Sequence, residues 1–169
     1  MTDRRTSGSS SVIKILADTN FWLDYYLVRN ERHVAAMSFV KRASESEGVA
    51  LYAASLSIKD AAYLLAQKMK AYARQDGRDL TDEVIAAARE AAWGCVRSMS
   101  SLAIIIPVGY DEVMQAFTYR EVHDDFEDDL ILGAAARARV DYVLTRDQGL
   151  ARHSPVRCID VEEALTLVR

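Results

Sequence analysis

The sequence predicts a single-domain α/β protein with a mostly parallel sheet that helices cover on both faces. Three observations support this fold class. Short apolar runs alternate with longer segments in which apolar residues recur at helical spacing. The short runs are mostly apolar rather than apolar at every second residue, as in strands that are buried on both faces. Half of the 169 residues are apolar, which is enough for the core of one domain.

The first half of the chain has the order strand, helix, helix, strand, helix. Residues 12–17 are an apolar run that predicts a buried strand, and an amphipathic stretch through Tyr26 follows it directly. Apolar residues at helical spacing predict a second helix over residues 32–46. Residues 49–53 are the second predicted strand. A long helix is expected after this strand, and the polar stretch 74–79 is the loop that ends it.

The second half continues the alternation of helices and strands. Thr81 can cap a long helix that runs towards Ser100. The remaining predicted elements are, in chain order, a strand over residues 103–106, a helix from Asp111, a helix from Asp124 or Asp125, strands over residues 142–145 and 156–159, and a terminal helix capped by Asp160. Parallel sheets bind ligands at the carboxyl ends of their strands, so the residues directly after the strands are the ones to consider for chemistry.

The composition argues against several classes of protein. A net charge of -4 and a pI near 5.4 do not fit a protein that coats nucleic acid through bulk charge. Cys95 and Cys158 form no C-x-x-C pair, so neither a disulfide framework nor a zinc site is indicated. No apolar run is long enough to span a bilayer, and the polar residues 1–11 predict a disordered tail rather than a signal peptide. We therefore expect a cytoplasmic protein with residues 12–169 as its single domain.

Four aspartates lie beside the predicted strands, where a parallel sheet binds ligands. Asp18 ends the first strand, Asp60 is in the helix after the second, Asp128 is in the helix before the fourth, and Asp147 follows the fourth. Carboxylates that gather at one edge of a sheet repel one another unless a cation compensates them. Mg²⁺ or Mn²⁺ suits such a site because these ions prefer carboxylate and water oxygens. The sequence therefore predicts a divalent metal site built from scattered aspartates.

Each of these aspartates alone also has a structural explanation. Asp18 can cap the helix that follows it, and Asp147 can be a turn residue. Ser57 and Asp60 have the spacing of a capping box, with Asp in place of the usual Glu. The combination of the four positions is the signal for a metal site, rather than any one of them.

Several acids of the stretch 124–129 compete for the role of metal ligand. It contains five acids in six positions, which is typical of a solvated helix start. A helical projection places Asp128 one turn before Ile131, on the side expected to face inward, and places Asp129 elsewhere. Asp128 is therefore the candidate metal ligand. Asp125 projects about 60° from Asp128 and is the reserve candidate.

Four blocks of the sequence resemble the PIN-domain family of ribonucleases, whose small bacterial members include the VapC-type toxins of toxin-antitoxin pairs. The blocks are ILADTNFWLD with Asp18 and Asn20, SLSIKDAAYLL with Asp60, DFEDDLILGAAARA with Asp128, and DYVLTRD with Thr145 and Asp147. The resemblance implies a three-layer α/β/α sandwich with a mostly parallel central sheet, and a Mg²⁺- or Mn²⁺-dependent endoribonuclease. The sequence departs from the family at Asp60, where many members carry Glu.

The resemblance also implies roles and partners. Asp18, Asp128 and Asp147 would bind the metal directly or through water, and Asp60 would bind it or orient the attacking water. Asn20 and Thr145 would hold these ligands by hydrogen bonds. RNA is the implied substrate and a small antitoxin that masks the acidic site is the implied partner. The arginines eligible for phosphate contacts are Arg29, Arg120, Arg146 and Arg152.

Two other functions fit parts of the same pattern. An aspartate after a first strand also serves as a phosphoryl-accepting nucleophile, but Asn20 stands where the aspartate-based phosphatase pattern needs a second acid. A PIN-like module that no longer cleaves could bind RNA or a protein partner, and Asp60 in place of Glu keeps this alternative open. The aromatic residues Trp22, Tyr25 and Tyr26 either belong to the core or offer a surface to an antitoxin or a second copy of the chain. We expect a homodimer.

Overall fold

The protein is described by a computed structural model that covers residues 11–120 and 125–168. Within these ranges the chain forms five strands and eight helices. In chain order they are β1 (Ile13–Ala17), α1 (Thr19–Tyr26), α2 (His33–Glu45), β2 (Val49–Ala54), α3 (Ser55–Gln75), α4 (Asp82–Leu102), β3 (Ile104–Ile106), α5 (Tyr110–Tyr119), α6 (Phe126–Ala138), β4 (Tyr142–Leu144), α7 (Gln148–His153), β5 (Cys158–Ile159) and α8 (Val161–Leu167).

The five strands form one sheet in the order β3-β2-β1-β4-β5, and every neighbouring pair is parallel. β1 lies at the centre, where Leu16 pairs with Tyr52 of β2 on one side and with Val143 of β4 on the other. The carboxyl ends of β1, β2 and β4 therefore meet at one edge of the sheet. The chain leaves this edge through α1, α3 and α7.

Helices pack on both faces of the sheet, because the side chains of β1 alternate between two apolar clusters. Ile15 joins a cluster on one face that includes Trp22 of α1 and Phe39 of α2. Leu16 points to the other face, where its cluster includes Leu132 of α6. All five residues are fully buried. The predicted three-layer α/β/α sandwich is confirmed, and its sheet is parallel throughout.

Several predicted helix starts are confirmed by side-chain caps. Thr81 Oγ1 accepts a hydrogen bond from the backbone N–H of Val84 at 3.4 Å, and Asp160 Oδ1 accepts one from Glu163 at 2.8 Å. Asp125 caps α6, as one of the two predicted alternatives for this helix start; Asp124 lies outside the described residues. The predicted tail, residues 1–11, also lies outside them except for Ser11.

The structure corrects three expectations for local elements. Ser57 is not a cap, because α3 begins two residues earlier, at Ser55, directly after the extended Ala54. The loop predicted from residue 74 starts later, since α3 continues to Gln75. The short helix α7 occupies a segment where the sequence analysis placed none. Among the described residues, no helix is both long and apolar enough to cross a membrane.

Candidate functional site

Asp18 is the most deeply buried of the predicted site residues, with 3% of its surface exposed. Its backbone N–H donates to the carbonyl of Leu144 at 3.0 Å, which fixes the end of β1 against the end of β4. Its Oδ1 atom accepts a hydrogen bond from the N–H of Thr19 at 2.6 Å and caps α1. Asp18 therefore does cap α1, which is its structural explanation. The cap uses only one of the two carboxylate oxygens and leaves the second for other partners.

That second oxygen, Oδ2, faces two polar side chains. Thr145 donates its hydroxyl hydrogen to it at 3.0 Å, and Asn20 donates from Nδ2 at 3.4 Å. Burial raises the pKa of Asp18 above its usual value of 3.8, the hydrogen bonds from Thr145 and Thr19 oppose this rise, and the negative charge of Asp147 adds to it. None of the ion pairs among the described residues involves Asp18. Within the described part of the chain, Asp18 is thus a buried carboxylate whose charge no ion pair compensates.

A cavity of about 330 Å³, which we call the acidic cavity, opens over Asp18. It brings together three of the four predicted aspartates and Asn20. Its lining residues are Asp18, Thr19, Asn20, Lys59, Asp60, Tyr63, Leu64, Glu127, Asp128 and Ile131. Elements that are distant in the sequence, α1, α3 and α6, therefore contribute carboxylates to one space.

Asp60 enters the acidic cavity from the first turns of α3. Its Oδ1 atom lies 2.6 Å from the Nζ atom of Lys59, whose side chain is two-thirds exposed. An ammonium group is thus already present in the cavity, next to the aspartate that stands where the family often has Glu. Sequence reasoning missed Lys59, although it precedes Asp60 directly.

The acidic residues of α6 have three different positions. Asp125 lies at the cap, where its Oδ1 atom accepts hydrogen bonds from the backbone of Glu127 and Asp128. Asp128 lines the acidic cavity and is partly exposed. Asp129, which the helical projection set aside, is the more buried acid and lines a separate cavity beside Phe117 of α5. Glu127 also reaches the acidic cavity, which the sequence analysis did not predict.

Asp147 lies beside the acidic cavity but does not line it. Its Oδ1 atom caps α7 by accepting hydrogen bonds from Gly149 at 2.7 Å and Leu150 at 3.2 Å. Its backbone N–H donates to Thr145 Oγ1 at 3.0 Å. Both Asp147 and Thr145 line a second cavity of about 320 Å³. Thr145 therefore links the two cavities, because it lines the second one and donates to Asp18 in the acidic cavity. Asp147 does not line the acidic cavity, but its negative charge raises the pKa of Asp18.

The donor set of the acidic cavity suits a hard cation such as Mg²⁺ or Mn²⁺, because it consists of carboxylate and amide oxygens with an uncompensated buried charge at its base. Within residues 11–120 and 125–168, however, no three His, Cys, Asp or Glu side chains are close enough to hold one ion together. The residues fit the ion by chemistry, and water molecules would complete its coordination.

Of the four arginines that were predicted as candidates for phosphate contacts, only Arg146 lines a cavity next to the acidic cavity. Arg146 lines the second cavity. Arg29 forms a two-pronged ion pair with Asp76 at the end of α3, and Arg120 lines the cavity beside Asp129. Arg152 is exposed on α7. Arg32, which the sequence analysis did not select, lines the second cavity with Arg146.

The aromatic residues of α1 belong mainly to the core. Trp22 is fully buried and stacks against Tyr26, and the Tyr26 hydroxyl hydrogen-bonds the carbonyl of Cys95 in α4. Tyr25 contacts both rings edge to face. Trp22 therefore offers no surface to a partner.

Comparison with known proteins places this chain in one family. Residues 14–149 match the sequence profile of the PIN domain. No curated protein matches the sequence. Among solved structures, Mycobacterium tuberculosis VapC20, a sarcin-ricin loop cleaving toxin, is 17% identical with a TM-score of 0.60, over 82% of this chain and 93% of that one.

Two further structures share the fold. A Pyrobaculum aerophilum protein is 19% identical with a TM-score of 0.60, over 94% of this chain and 97% of that one. The VapBC2 structure from Rickettsia felis, bound to a DNA fragment from its promoter, has a chain that is 10% identical with a TM-score of 0.61, over 88% of this chain and 98% of its own. At these identities the likeness is one of fold. The profile match spans most of the chain, and the protein therefore belongs to the PIN-domain family.

Proposed function

We propose that this protein is a Mg²⁺- or Mn²⁺-dependent endoribonuclease that hydrolyses phosphodiester bonds of RNA, and that it is the toxin of a toxin-antitoxin pair. The observation that carries the proposal is the buried carboxylate of Asp18, which shares one cavity with Asp60 and Asp128 and forms no ion pair with any described residue. A structural cap would not need this burial, since exposed caps serve α6 and α8 of the same protein.

The residues of the site have different roles in the proposed hydrolysis. Asp18 and Asp128 hold the ion, with Asp147 contributing through water from the neighbouring cavity, and Asp60 orients the attacking water or adds a ligand. Thr145 and Asn20 keep the Asp18 carboxylate in place by hydrogen bonds. A bound divalent ion supplies Lewis-acid activation of the phosphoryl group and lowers the pKa of the attacking water.

The toxin assignment is supported by likeness of fold. One similar structure is named a toxin that cleaves the sarcin-ricin loop, and another is a VapBC structure bound to promoter DNA. By analogy we propose a small antitoxin as the protein partner, a homodimer as the assembly and the cytoplasm as the location. Expression of the wild-type chain should then arrest bacterial growth, and the Asp18→Asn variant should not.

The test of the nuclease is cleavage of an end-labelled mixed RNA pool by purified protein in Mg²⁺, Mn²⁺ or EDTA. We expect cutting with either ion, none in EDTA, and none by the Asp18→Asn variant. The matched control is Asp79→Asn, which removes an exposed carboxylate in the loop before α4 and should cleave like the wild type. Equal cutting by Asp18→Asn and wild type would refute the proposal.

A non-catalytic module that binds RNA or a protein partner is the second candidate. Two observations favour it: the Lys59 ammonium already pairs with Asp60, and the described residues contain no set of three close ligands. Folded wild-type protein that cuts no RNA with either ion, but binds it, would select this function.

A further inference from the structure

We propose that Arg32 and Arg146 form a binding site for a backbone phosphate of single-stranded RNA beside the scissile bond, and that the buried Asp24 is the positioning residue for both. This inference rests on the proposed ribonuclease function and adds a substrate site to it. Neither arginine lines the acidic cavity. Both line the second cavity, whose wall they share with Thr145 and Asp147.

The two cavities are adjacent through one hydrogen bond. Thr145 lines the second cavity and donates to Asp18, which lines the acidic cavity. A strand of RNA with its scissile phosphate over Asp18 therefore has a neighbouring nucleotide within reach of the second cavity. That cavity opens to solvent through the side chains of Arg32 and Arg146, which are 45% and 42% exposed.

The negative charge of the acidic cavity explains why RNA needs a phosphate-binding site in the neighbouring cavity. The acidic cavity is lined by four carboxylates, from Asp18, Asp60, Glu127 and Asp128, against the one ammonium of Lys59. RNA carries a negative charge at every phosphate, so its backbone is repelled by this cavity except where a cation bridges the two. The second cavity is also lined by the carboxylates of Asp147 and Asp160, which already accept backbone hydrogen bonds as helix caps. Its two guanidinium groups offset these charges and supply a planar fork of donors that matches phosphate oxygens.

Asp24 contacts Arg146 directly and reaches the backbone of Arg32 through Asn30. Its Oδ2 atom lies 3.4 Å from Nε of Arg146. Its Oδ1 atom accepts a hydrogen bond from Nδ2 of Asn30, and the Oδ1 atom of Asn30 accepts one from the backbone N–H of Arg32 at 3.0 Å. Asp24 is 4% exposed, so the network is anchored in the protein.

A purely structural role would explain only part of this arrangement. A buried carboxylate needs a partner, and Arg146 supplies one. The charge of Arg32 also lowers the pKa of Asp24, though less than that of Arg146 does, and the ion pair that Arg32 forms is with the exposed neighbour Glu31. The network brings two guanidinium groups to one cavity next to a cavity of carboxylates, an arrangement that suits a polyanion with a neighbouring phosphate at the metal site.

The test measures binding of a fluorescein-labelled single-stranded RNA to the full chain by anisotropy, in EDTA so that no cleavage occurs, over a series of NaCl concentrations. Arg32→Gln and Arg146→Gln should each weaken binding at least fivefold and reduce the slope of log K against log salt by about 0.7, the value for one lost phosphate contact on a single strand. Arg146→Lys should fall between Arg146→Gln and the wild type. Arg42→Gln is the matched control, since Arg42 is exposed in the last turn of α2, which leads to the opposite edge of the sheet.

The Asp24→Asn variant tests whether Asp24 acts by positioning the two arginines or only by its negative charge. It removes a negative charge, which by itself should strengthen RNA binding; we expect weaker binding because the arginines lose their anchor. Circular dichroism melts show which variants are folded. If Arg146→Gln or Asp24→Asn unfolds, Arg32→Gln, whose side chain is 45% exposed, decides the question.

The outcomes distinguish this inference from the proposed function. Arginine-dependent binding without cleavage in Mg²⁺ or Mn²⁺ would keep the phosphate site and reject the nuclease. Cleavage by the wild type together with Arg32→Gln and Arg146→Gln variants that bind RNA like Arg42→Gln would keep the nuclease and overturn the phosphate site. Wild-type protein that binds no RNA would also overturn it.

Discussion

Thr145 donates a hydrogen bond to Asp18 Oδ2 at 3.0 Å and accepts one from the backbone N–H of Asp147 at 3.0 Å. One hydroxyl group therefore connects the end of β1 to the turn after β4. It holds two carboxylates in a fixed relation although they line different cavities. The hydroxyl is buried, so water does not replace these hydrogen bonds.

Removing the Thr145 hydroxyl should lower the rate of RNA cleavage without changing the fold. Thr145→Val leaves Asp18 Oδ2 without its nearest donor and the Asp147 N–H without its acceptor. We expect kcat for RNA cleavage to fall about 10- to 100-fold, as for other residues that orient metal ligands. Thr145→Ser keeps the hydroxyl and should retain most of the activity. A Val variant as active as the Ser variant would show that the link is dispensable.

Asp18 should couple the stability of the protein to divalent ions. Because burial disfavours its charge, the Asp18→Asn variant should be more stable than the wild type in EDTA at pH 7, by about 1 to 3 kcal/mol. Added Mg²⁺ or Mn²⁺ should raise the melting temperature of the wild type and leave that of the variant nearly unchanged. The measurement is a thermal melt with and without metal. A variant that melts below the wild type in EDTA would contradict this account.

The fold could be predicted largely from apolar patterning, because the strands are mostly apolar and Lys14, the one charged residue of the central strand β1, does not hide the pattern. The shortest helix, α7, was the element that the sequence did not predict. The helix α7 has six residues and includes Gly149, so it has too few turns to show a helical period. Its existence depends on Asp147, which caps it.

The start of α3 shows how a correct local rule can be overridden. Ser57 and Asp60 have capping-box spacing, yet the helix begins at Ser55, whose hydroxyl accepts a hydrogen bond from the N–H of Val108, 53 residues away. That contact joins the ends of β2 and β3 and does not depend on local sequence. Likewise, strand ends predicted which aspartates approach one edge, but not that Asp147 would line a separate cavity or that Lys59 would pair with Asp60.

Lys59 should compete with metal ions for Asp60. Its Nζ atom lies 2.6 Å from Asp60 Oδ1, so a cation must displace it to use that oxygen. Since an exposed ion pair is weak, Lys59→Gln should lower the Mg²⁺ concentration for half-maximal cleavage by only about two- to fivefold. Lys68→Gln, at an exposed site on the same helix, is the control. A higher Mg²⁺ requirement in Lys59→Gln would mean that the ammonium assists the site instead.

Ser57 should be a site where an alanine substitution stabilises the protein. Its side chain is fully buried in α3, and its hydroxyl has no hydrogen-bond partner within residues 11–120 and 125–168. Ser57→Ala removes an unsatisfied polar group and adds helix propensity, so we expect a gain of about 1 to 2 kcal/mol in the free energy of unfolding. Urea denaturation measures it, with Ser38→Ala on α2 as the comparison, since Ser38 is only partly buried and its hydroxyl donates to the carbonyl of Val34 at 2.8 Å. A loss of stability at Ser57 would indicate an important partner for the hydroxyl.

Glu112 should make the stability of the protein depend on pH in the acid range. Its buried carboxylate accepts hydrogen bonds from Arg137 of α6 and from the N–H of Gly109 at 2.7 Å. Burial alone would raise its pKa, but these hydrogen bonds outweigh burial and hold the pKa below the usual 4.5. The folded state therefore binds this proton less tightly than the unfolded state, and the stabilisation is complete above pH 4.5 and is lost as the pH falls through the lower folded pKa.

The variant Arg137→Met tests this pair, because it leaves the Glu112 carboxylate buried with one donor fewer. We expect a loss of about 1 to 3 kcal/mol at pH 7, moderated by the partial exposure of Arg137 to water. The difference from wild type should shrink below pH 4.5, where Glu112 becomes protonated and no longer needs a cation. Urea denaturation at pH 7 and at several values below 4.5 measures both effects. A difference that stays constant over this range would mean that Arg137 stabilises the packing of α5 and α6 by its apolar stem rather than by its charge.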